Sequence, residues 1–304
     1  WLGIPYTIRV LLISILSGAA IAVGLSKIFV SPMMKLGDAM RKVAGGDFTV
    51  RLDCTSKIRD MREVYGSFNT MVKELGNTET LQTDFVSNVS HEFKTPINAI
   101  EGYASLLQDS QLTDEQKNAY IDKIIFNTRR LSDLVGNILL LSKVNNQTIS
   151  LKASTFRLDE QVRQSILALE SKWEKKEIEF DIDLDEIEYT GYEYLLSHVW
   201  LNLIDNAVKF SPQNGQIRIR LKQLDGSVTF SIWDNGLSIP EADIGRIFNK
   251  FYQGDNSHAS EGNGLGLALV RKIVAAAHGT INVTSSEDAG TEFVVALPNS
   301  SSDS

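Results

Sequence analysis

Only one cysteine, Cys54, occurs in 304 residues. That excludes an internal disulfide and a cysteine-built zinc site, as expected of a reducing compartment. In its simplest reading Cys54 is a small, half-buried hydrophobe. An excess of positive charge is also missing. The formal net charge is -8 and the pI is about 5.1, which argues against nucleic-acid binding as the main activity. No internal repeat and no low-complexity run is visible apart from the polar tail at 300–304, which is expected to be disordered. Trp1 stands where an initiator Met would, so a preceding segment is expected. What is present is length enough for two or more domains.

Val10 to Leu25 carries no charge, and the apolar run continues past Lys27 to Val30. This is about the 20 residues a helix needs to cross a bilayer, with Arg9 and Lys27 able to extend their charged heads into the interfaces. A signal peptide would be shorter; a buried core helix is the other alternative, but a run this long that is apolar on every face looks membrane-spanning. Residues 8–30 are therefore expected to span a membrane in contact with lipid. Lys27, Lys35, Arg41, Lys42 and Arg51 follow the run while only Arg9 precedes it, so the positive-inside rule places the remainder in the cytoplasm.

Residues 31–80 read as two short helices around a connector. Pro32 opens the first, Leu36, Met40 and Val43 form its stripe, and Ala44-Gly45-Gly46-Asp47 breaks it. The second carries Met61, Val64, Phe68, Met71 and Leu75. Neither helix can bury its stripe alone, which suggests a parallel dimeric four-helix bundle. A plain coiled-coil stalk is the blander reading, but Val50 and Leu52 lie in an extended linker between the helices. Pro32, Gly46-Asp47, Glu63 and Phe68-Asn69-Thr70-Met71 resemble the HAMP linker that follows a transmembrane helix in bacterial receptors.

Residues 81–147 read as a helical hairpin. The outgoing stripe is Leu81, Phe85, Val89, Phe93, Ile97, Ile100, Ala104 and Leu107. The turn lies near Asp109 to Asp114, where Thr113 and Gln116 make a capping box. The return stripe is Ile121, Ile124, Thr128, Leu131, Val135, Ile138 and Ser142. The open apolar face predicts a symmetric homodimer closing a four-helix bundle. His91 projects roughly 160° away from the outgoing stripe at 100° per residue. A solvent-side imidazole beside a carboxylate suits a nucleophile, with Glu92 orienting one ring nitrogen and freeing the other. Thr95 shares the His91 face and could position a water. Pro96 cannot donate to the Glu92 carbonyl, so a kink is expected there. An idle surface histidine is the bland alternative.

From Thr155 the pattern mixes helix and strand, and residues 155–299 are expected to form a two-layer α/β sandwich. Strands are predicted at Ile178–Ile182, Ile217–Lys222, Val228–Trp233, Thr280–Thr284 and Glu292–Leu297, and helices at Leu195–Phe210 and Leu265–Ala277. Three motifs fall within it. Asn202, Asn206 and Lys209 share one helical face, where an amide oxygen can ligate Mg2+ and a lysine can neutralise phosphate. Asp234-Asn235-Gly236 follows an alternating strand; a buried carboxylate there can accept the exocyclic amino hydrogens of adenine, although the tripeptide also suits a plain turn. Gly262, Gly264 and Gly266, with Leu265, open a helix whose exposed N–H groups suit phosphate. No Gly-Lys-Ser/Thr follows, so this is not a P-loop. Phe248, Lys250 and Phe251 lie in a stretch sized for a lid.

Following His91-Glu92-Phe93-Lys94-Thr95-Pro96, these motifs resemble in content and order the acceptor box and the N, G1, F and G2 boxes of bacterial sensor histidine kinases, whose ATP-binding domain is of the GHKL type. The resemblance implies that His91 takes the γ-phosphoryl group from Mg-ATP and passes it to an aspartate of a cognate response regulator. It implies that Glu92 and Thr95 also serve the reverse phosphatase reaction, that Asn206 ligates Mg2+ and that Asp234 contacts adenine. Asn202 and Lys209 would assist the phosphates, and the glycines would shape the lid and phosphate loop. Ser238 replaces a glycine of the pattern; a left-handed backbone there would cost a serine roughly 1–2 kcal/mol and bias the chain away from kinase activity. A kinase-impaired receptor and a GHKL ATPase without phosphorelay are the rival readings.

Overall fold

The computed structural model describes residues 6–55, 58–145, 153–224, 226–254 and 263–299. The chain divides into two compact units, Trp1–Ser87 and Asn88–Ser304.

In the first unit, α1 (Tyr6–Leu25) passes through a π-helical turn (Ser26–Val30) into α2 (Ser31–Ala44). This run is the one helix, among the described residues, long and apolar enough to cross a membrane. After the Gly45-Gly46 break the connector leads to α3, which starts at Arg59. Leu36 and Ala39 of α2 and Tyr65, Phe68 and Val72 of α3 form a small core, closed by Phe48, Val50 and Leu52 from the connector. Asn69 holds that connector by both ends of its amide: Leu52 N–H donates to Oδ1 and Nδ2 donates to the Leu52 carbonyl, both at 2.8 Å. The hydroxyl of Tyr65 donates to the Pro32 carbonyl at 2.9 Å, joining α3 to the start of α2. The predicted stripes are thus split within one chain. Leu36 and Phe68 are buried, while Met40, Val64, Met71 and Leu75 stay exposed. Cys54 is exposed rather than half-buried.

Helix α3 continues to Leu106 without interruption, with Pro96 inside it. The capping box forms as predicted: Thr113 N–H donates to Gln116 Oε1 at 2.9 Å, and Gln116 N–H donates to Thr113 Oγ1 at 3.3 Å. It opens the return helix α4 (Asp114–Asn145). The buried positions of α4 are Asn127, Leu134, Leu140 and Leu141, so the inward face lies about one residue away from the predicted stripe, and Ile121 and Val135 are exposed. The reason is a neighbour that the local pattern does not reveal. Leu134, Leu140 and Leu141 join the core that α9 (Gly266–Ala276) shares with the sheet.

That sheet has five strands in the order β2-β4-β5-β7-β6. They are β2 (Glu179–Leu184), β4 (Gln216–Leu224), β5 (Ser227–Asp234), β6 (Thr280–Ser286) and β7 (Gly290–Pro298). Only β2 and β4 pair in parallel; the other neighbours are antiparallel. Every predicted strand is present. The sequence reading did not find the antiparallel pair of β1 (Ser154–Arg157) and β3 (Glu188–Gly191), nor the short helices α6 (Glu170–Lys175) and α8 (Glu241–Ile244). Helices α5 (Leu158–Leu167), α7 (Glu193–Phe210) and α9 supply the second layer. Trp200 of α7 is fully buried; its ring centroid lies 4.6 Å from that of Phe230, and its indole N–H donates to Gln161 Oε1 at 2.8 Å. Two layers over one core match the predicted sandwich.

Candidate active site

The site grows out of strand β5. Its inward positions are Val228, Phe230, Ile232 and then Asp234, so the alternation that fills the core delivers a carboxylate to a core-facing position at the strand end. Asp234 is only 4% exposed, and burial pushes its carboxyl up to about 7. One hydrogen bond opposes that shift: Gly236 N–H donates to Oδ1 at 2.9 Å. Gly236 has no room for a side chain, since a Cβ would lie 2.4 Å from the Phe210 carbonyl oxygen and 2.7 Å from Asp234 Oδ1. The end of α7 and the Asp234 turn are therefore in direct contact. Leu237 N–H donates to the same Phe210 oxygen at 3.4 Å.

Beyond the turn, a chain of hydroxyls fixes residues 237–239. Ser285 Oγ accepts from Ile239 N–H and shares a hydrogen with Thr291 Oγ1, both at 2.8 Å. Thr291 faces Asp234 across β5 and β7. Ser238, within this segment, is not among the residues with positive φ, so the strain expected of a serine there does not arise. Sequence reasoning missed Thr291 and Ser285. Two hydroxyls on adjacent strands carry no motif, and only the strand register brings them together.

Helix α7 presents Asn202, Asn206 and Lys209 at one-turn spacing, all half-buried. Asn202 Nδ2 donates to the His198 carbonyl at 2.7 Å. Its Oδ1 lies so close to the start of α9 that a Cβ on Gly266 would sit 2.5 Å away. That contact brings the first motif against the third. Lys209 Nζ lies over the Phe210 ring, 4.7 Å from its centroid. The Asn206 side chain makes no hydrogen bond among the described residues. No group of three or more His, Cys, Asp or Glu among them could hold a metal ion. A lone amide oxygen on a polar helix face fits a Mg2+ ion whose other ligands are phosphate and water, and does not fit a protein-enclosed metal.

The loop before α9 turns at Gly264, whose φ is 64°, and Phe251 N–H donates to the Gly264 carbonyl at 2.8 Å. Phe251 itself has φ 61°. Leu265 is fully buried and contributes its side chain to the core, which leaves only its backbone to the loop. Gly262 and His258 lie outside the described residues. Phe248 and Lys250 line a cavity of about 300 Å³ with Ala268, Arg271 and Lys272. These helix positions lie on the side of α9 away from Gly266, so Lys250 is not brought to the Asn202 face. Burial and the neighbouring Lys272 hold the Lys250 ammonium below its usual range. At the far end of α9, His278 takes φ 56° itself, and Gly279 N–H donates to the Val274 carbonyl at 2.8 Å. The helix therefore closes through a left-handed histidine.

On α3, His91 is exposed. Glu92 does not orient it. The carboxylate turns to α4, where Arg130 Nη2 donates to Glu92 Oε2 at 3.3 Å. Adjacent helix positions diverge by about 100°, so Glu92 can reach the return helix while His91 points to solvent. Thr95 Oγ1 donates to the His91 carbonyl at 3.3 Å. Two residues from His91, Phe93 packs against the core shared with the sheet.

Three family models match the chain: the HAMP domain over residues 24–77, the His Kinase A (phospho-acceptor) domain over 81–147, and the histidine kinase-, DNA gyrase B- and HSP90-like ATPase over 191–301. Heme sensor protein HssS of Staphylococcus epidermidis is 32% identical over 268 residues, covering 88% of this chain and 58% of that protein. The chain thus spans little more than half the length of this curated relative. Among solved structures, histidine kinase ThkA in complex with response regulator protein TrrA aligns with a TM-score of 0.58 at 25% identity, covering 74% of this chain and 64% of ThkA. Acinetobacter baumannii histidine kinase AdeS shares the fold, with a TM-score of 0.59 at 24% identity over 69% of this chain and 98% of AdeS.

Proposed function

The chain belongs to the HAMP-containing sensor histidine kinases, and from that premise we propose that it autophosphorylates His91 with Mg-ATP and passes the phosphoryl group to an aspartate of a response regulator. The observation that carries this reading is the buried Asp234 at the end of β5, in contact through Gly236 with the helix that bears Asn202, Asn206 and Lys209. A dry carboxylate accepts the exocyclic amino hydrogens of adenine and discriminates against guanine, whose carbonyl would face it unpaired. Asn202 and Lys209 would meet the phosphates, and Asn206 would hold Mg2+. The ion would supply charge neutralisation at the phosphates. Gly264 and Gly266, with Gly262, would shape the phosphate loop.

In the transfer, a ring nitrogen of His91 forms a bond to the γ-phosphorus as the bond to the β,γ-bridging oxygen breaks, and ADP leaves. The proton lost by the ring passes to a base. Glu92 can serve as that base once it gives up Arg130. In the second step the N–P bond breaks as an aspartate oxygen of the regulator takes the phosphoryl group. Thr95, one turn from His91, would align water for the reverse phosphatase reaction. We assign residues 8–30 to a span of the bacterial cytoplasmic membrane, 31–80 to the HAMP linker, 81–147 to the dimerising acceptor hairpin and 155–299 to the ATP-binding domain, with the catalytic region in the cytoplasm. The absence of a positive φ at Ser238 supports the kinase reading over a kinase-impaired receptor.

The test is incubation of the full chain with Mg2+ and γ-labelled ATP. Acid-labile, base-stable label that disappears in His91→Gln is expected; equal labelling of that variant would refute the assignment.

A further inference from the structure

The C-terminal end of α7 carries Lys209 and touches the Asp234 turn. A helix ends in unpaired carbonyls at the negative pole of its dipole, and a cation suits both. Here the cation is Lys176, in the turn between α6 and β2. Its Nζ donates to the carbonyl oxygens of Val208 at 2.9 Å, Lys209 at 2.7 Å and Ser211 at 2.8 Å. An ammonium has three donors, and all are used. The turn that carries it is itself tied down. Asn214 N–H donates to the Lys176 carbonyl at 2.8 Å, and Glu179 N–H donates to the Gly215 carbonyl at 2.9 Å.

The carbonyl that Lys176 leaves free within this stretch is that of Phe210, and it is the one that meets the Asp234 turn, through Leu237 N–H and the close approach of Gly236. The helix end therefore has two sets of neighbours: Lys176 on the carbonyls of 208, 209 and 211, and the turn on the carbonyl of 210. We propose, resting on the ATP reading, that Lys176 is a positioning residue for nucleotide binding, clamping the end of α7 so that Lys209 and the Asp234–Gly236 turn keep a fixed separation. A neighbouring lysine supplies the control. Lys172 also reaches α7 from α6, but it pairs with the Asp205 side chain at the surface and touches no carbonyl of the helix end.

The experiment uses the full chain and reads the Kd for ATP by displacement of trinitrophenyl-ATP, the labelling rate at saturating ATP, and the melting temperature without nucleotide. Lys176→Met is expected to weaken ATP binding by about tenfold, a change of about 1.4 kcal/mol, with the saturated rate within about twofold of the parent. Lys176→Arg, which keeps a cationic donor, should recover most of that loss, and Lys172→Met should bind ATP as the parent does. A folded Lys176→Met with parental affinity, whatever its melting temperature, overturns the inference and leaves the lysine a stability cap. If the methionine variant does not fold, Lys176→Gln carries the same comparison. A parent chain that binds no ATP would instead remove the nucleotide reading on which this rests.

Discussion

The sandwich and the helical hairpin bury their apolar residues differently. In the sandwich, Leu195, Val199, Trp200, Leu203 and Leu269 are fully enclosed by their own chain, and Asp234 is held dry at the edge of that core. In the hairpin, Ile97, Ile121, Ile125, Phe126 and Leu139 remain exposed although their spacing is that of a helix core. The contrast teaches that one chain suffices to build the proposed ATP site, whereas the acceptor region presents a surface still to be covered. A second copy is the cover we propose, since two such hairpins close a four-helix bundle.

The contrast can be broken at its most enclosed point. Trp200→Ala should cost the sandwich about 3–5 kcal/mol, because it removes the largest buried side chain and the contact with Phe230. Chemical denaturation should show that loss together with loss of ATP binding. The matching change on the hairpin, Ile125→Ala, should leave the sandwich transition within about 0.5 kcal/mol and shift only the oligomeric state on sedimentation.

Asp234→Asn sharpens the contrast between building a site and stabilising a fold. Replacing the proposed adenine partner should weaken ATP binding by about 10- to 100-fold, the worth of a hydrogen bond to a charged group. Stability should move the other way. Burial raises the carboxyl to about 7, so its contribution is full below the ordinary carboxylate range and is lost as pH rises through about 7. At pH 8 the nucleotide-free asparagine variant should melt higher than the parent, and near pH 4 the difference should vanish. A smaller effect belongs to the first unit. Asn69→Ala, which strips both hydrogen bonds from Leu52, should cost about 1–3 kcal/mol in that unit, seen as faster hydrogen exchange of the connector, and leave ATP affinity unchanged.

Much of this was legible in the sequence because it is local. The alternation of Val228, Phe230 and Ile232 specifies β5 and, continued by two residues, the burial of Asp234. Thr113 and Gln116 mark the start of α4 through a four-residue box. The rest depends on contacts between distant segments. The face of α4 follows from its packing on the α9 core, so a stripe through Ile121 and Val135 was as good locally as one through Leu134 and Leu141. Arg130 draws Glu92 from His91 across 38 positions of sequence, and Lys176 caps a helix that ends more than thirty residues later. Ser238 stands where the resembled pattern has a glycine, yet its backbone stays out of the left-handed region.

The most direct test of the division between the two regions is to measure ATP affinity and His91 labelling together, in the parent and in Leu139→Glu, which places a charge on the exposed hairpin face. A monomer that binds ATP within about twofold of the parent and loses most of the label on His91 is expected. A monomeric variant that labels His91 at the parental rate would contradict that division.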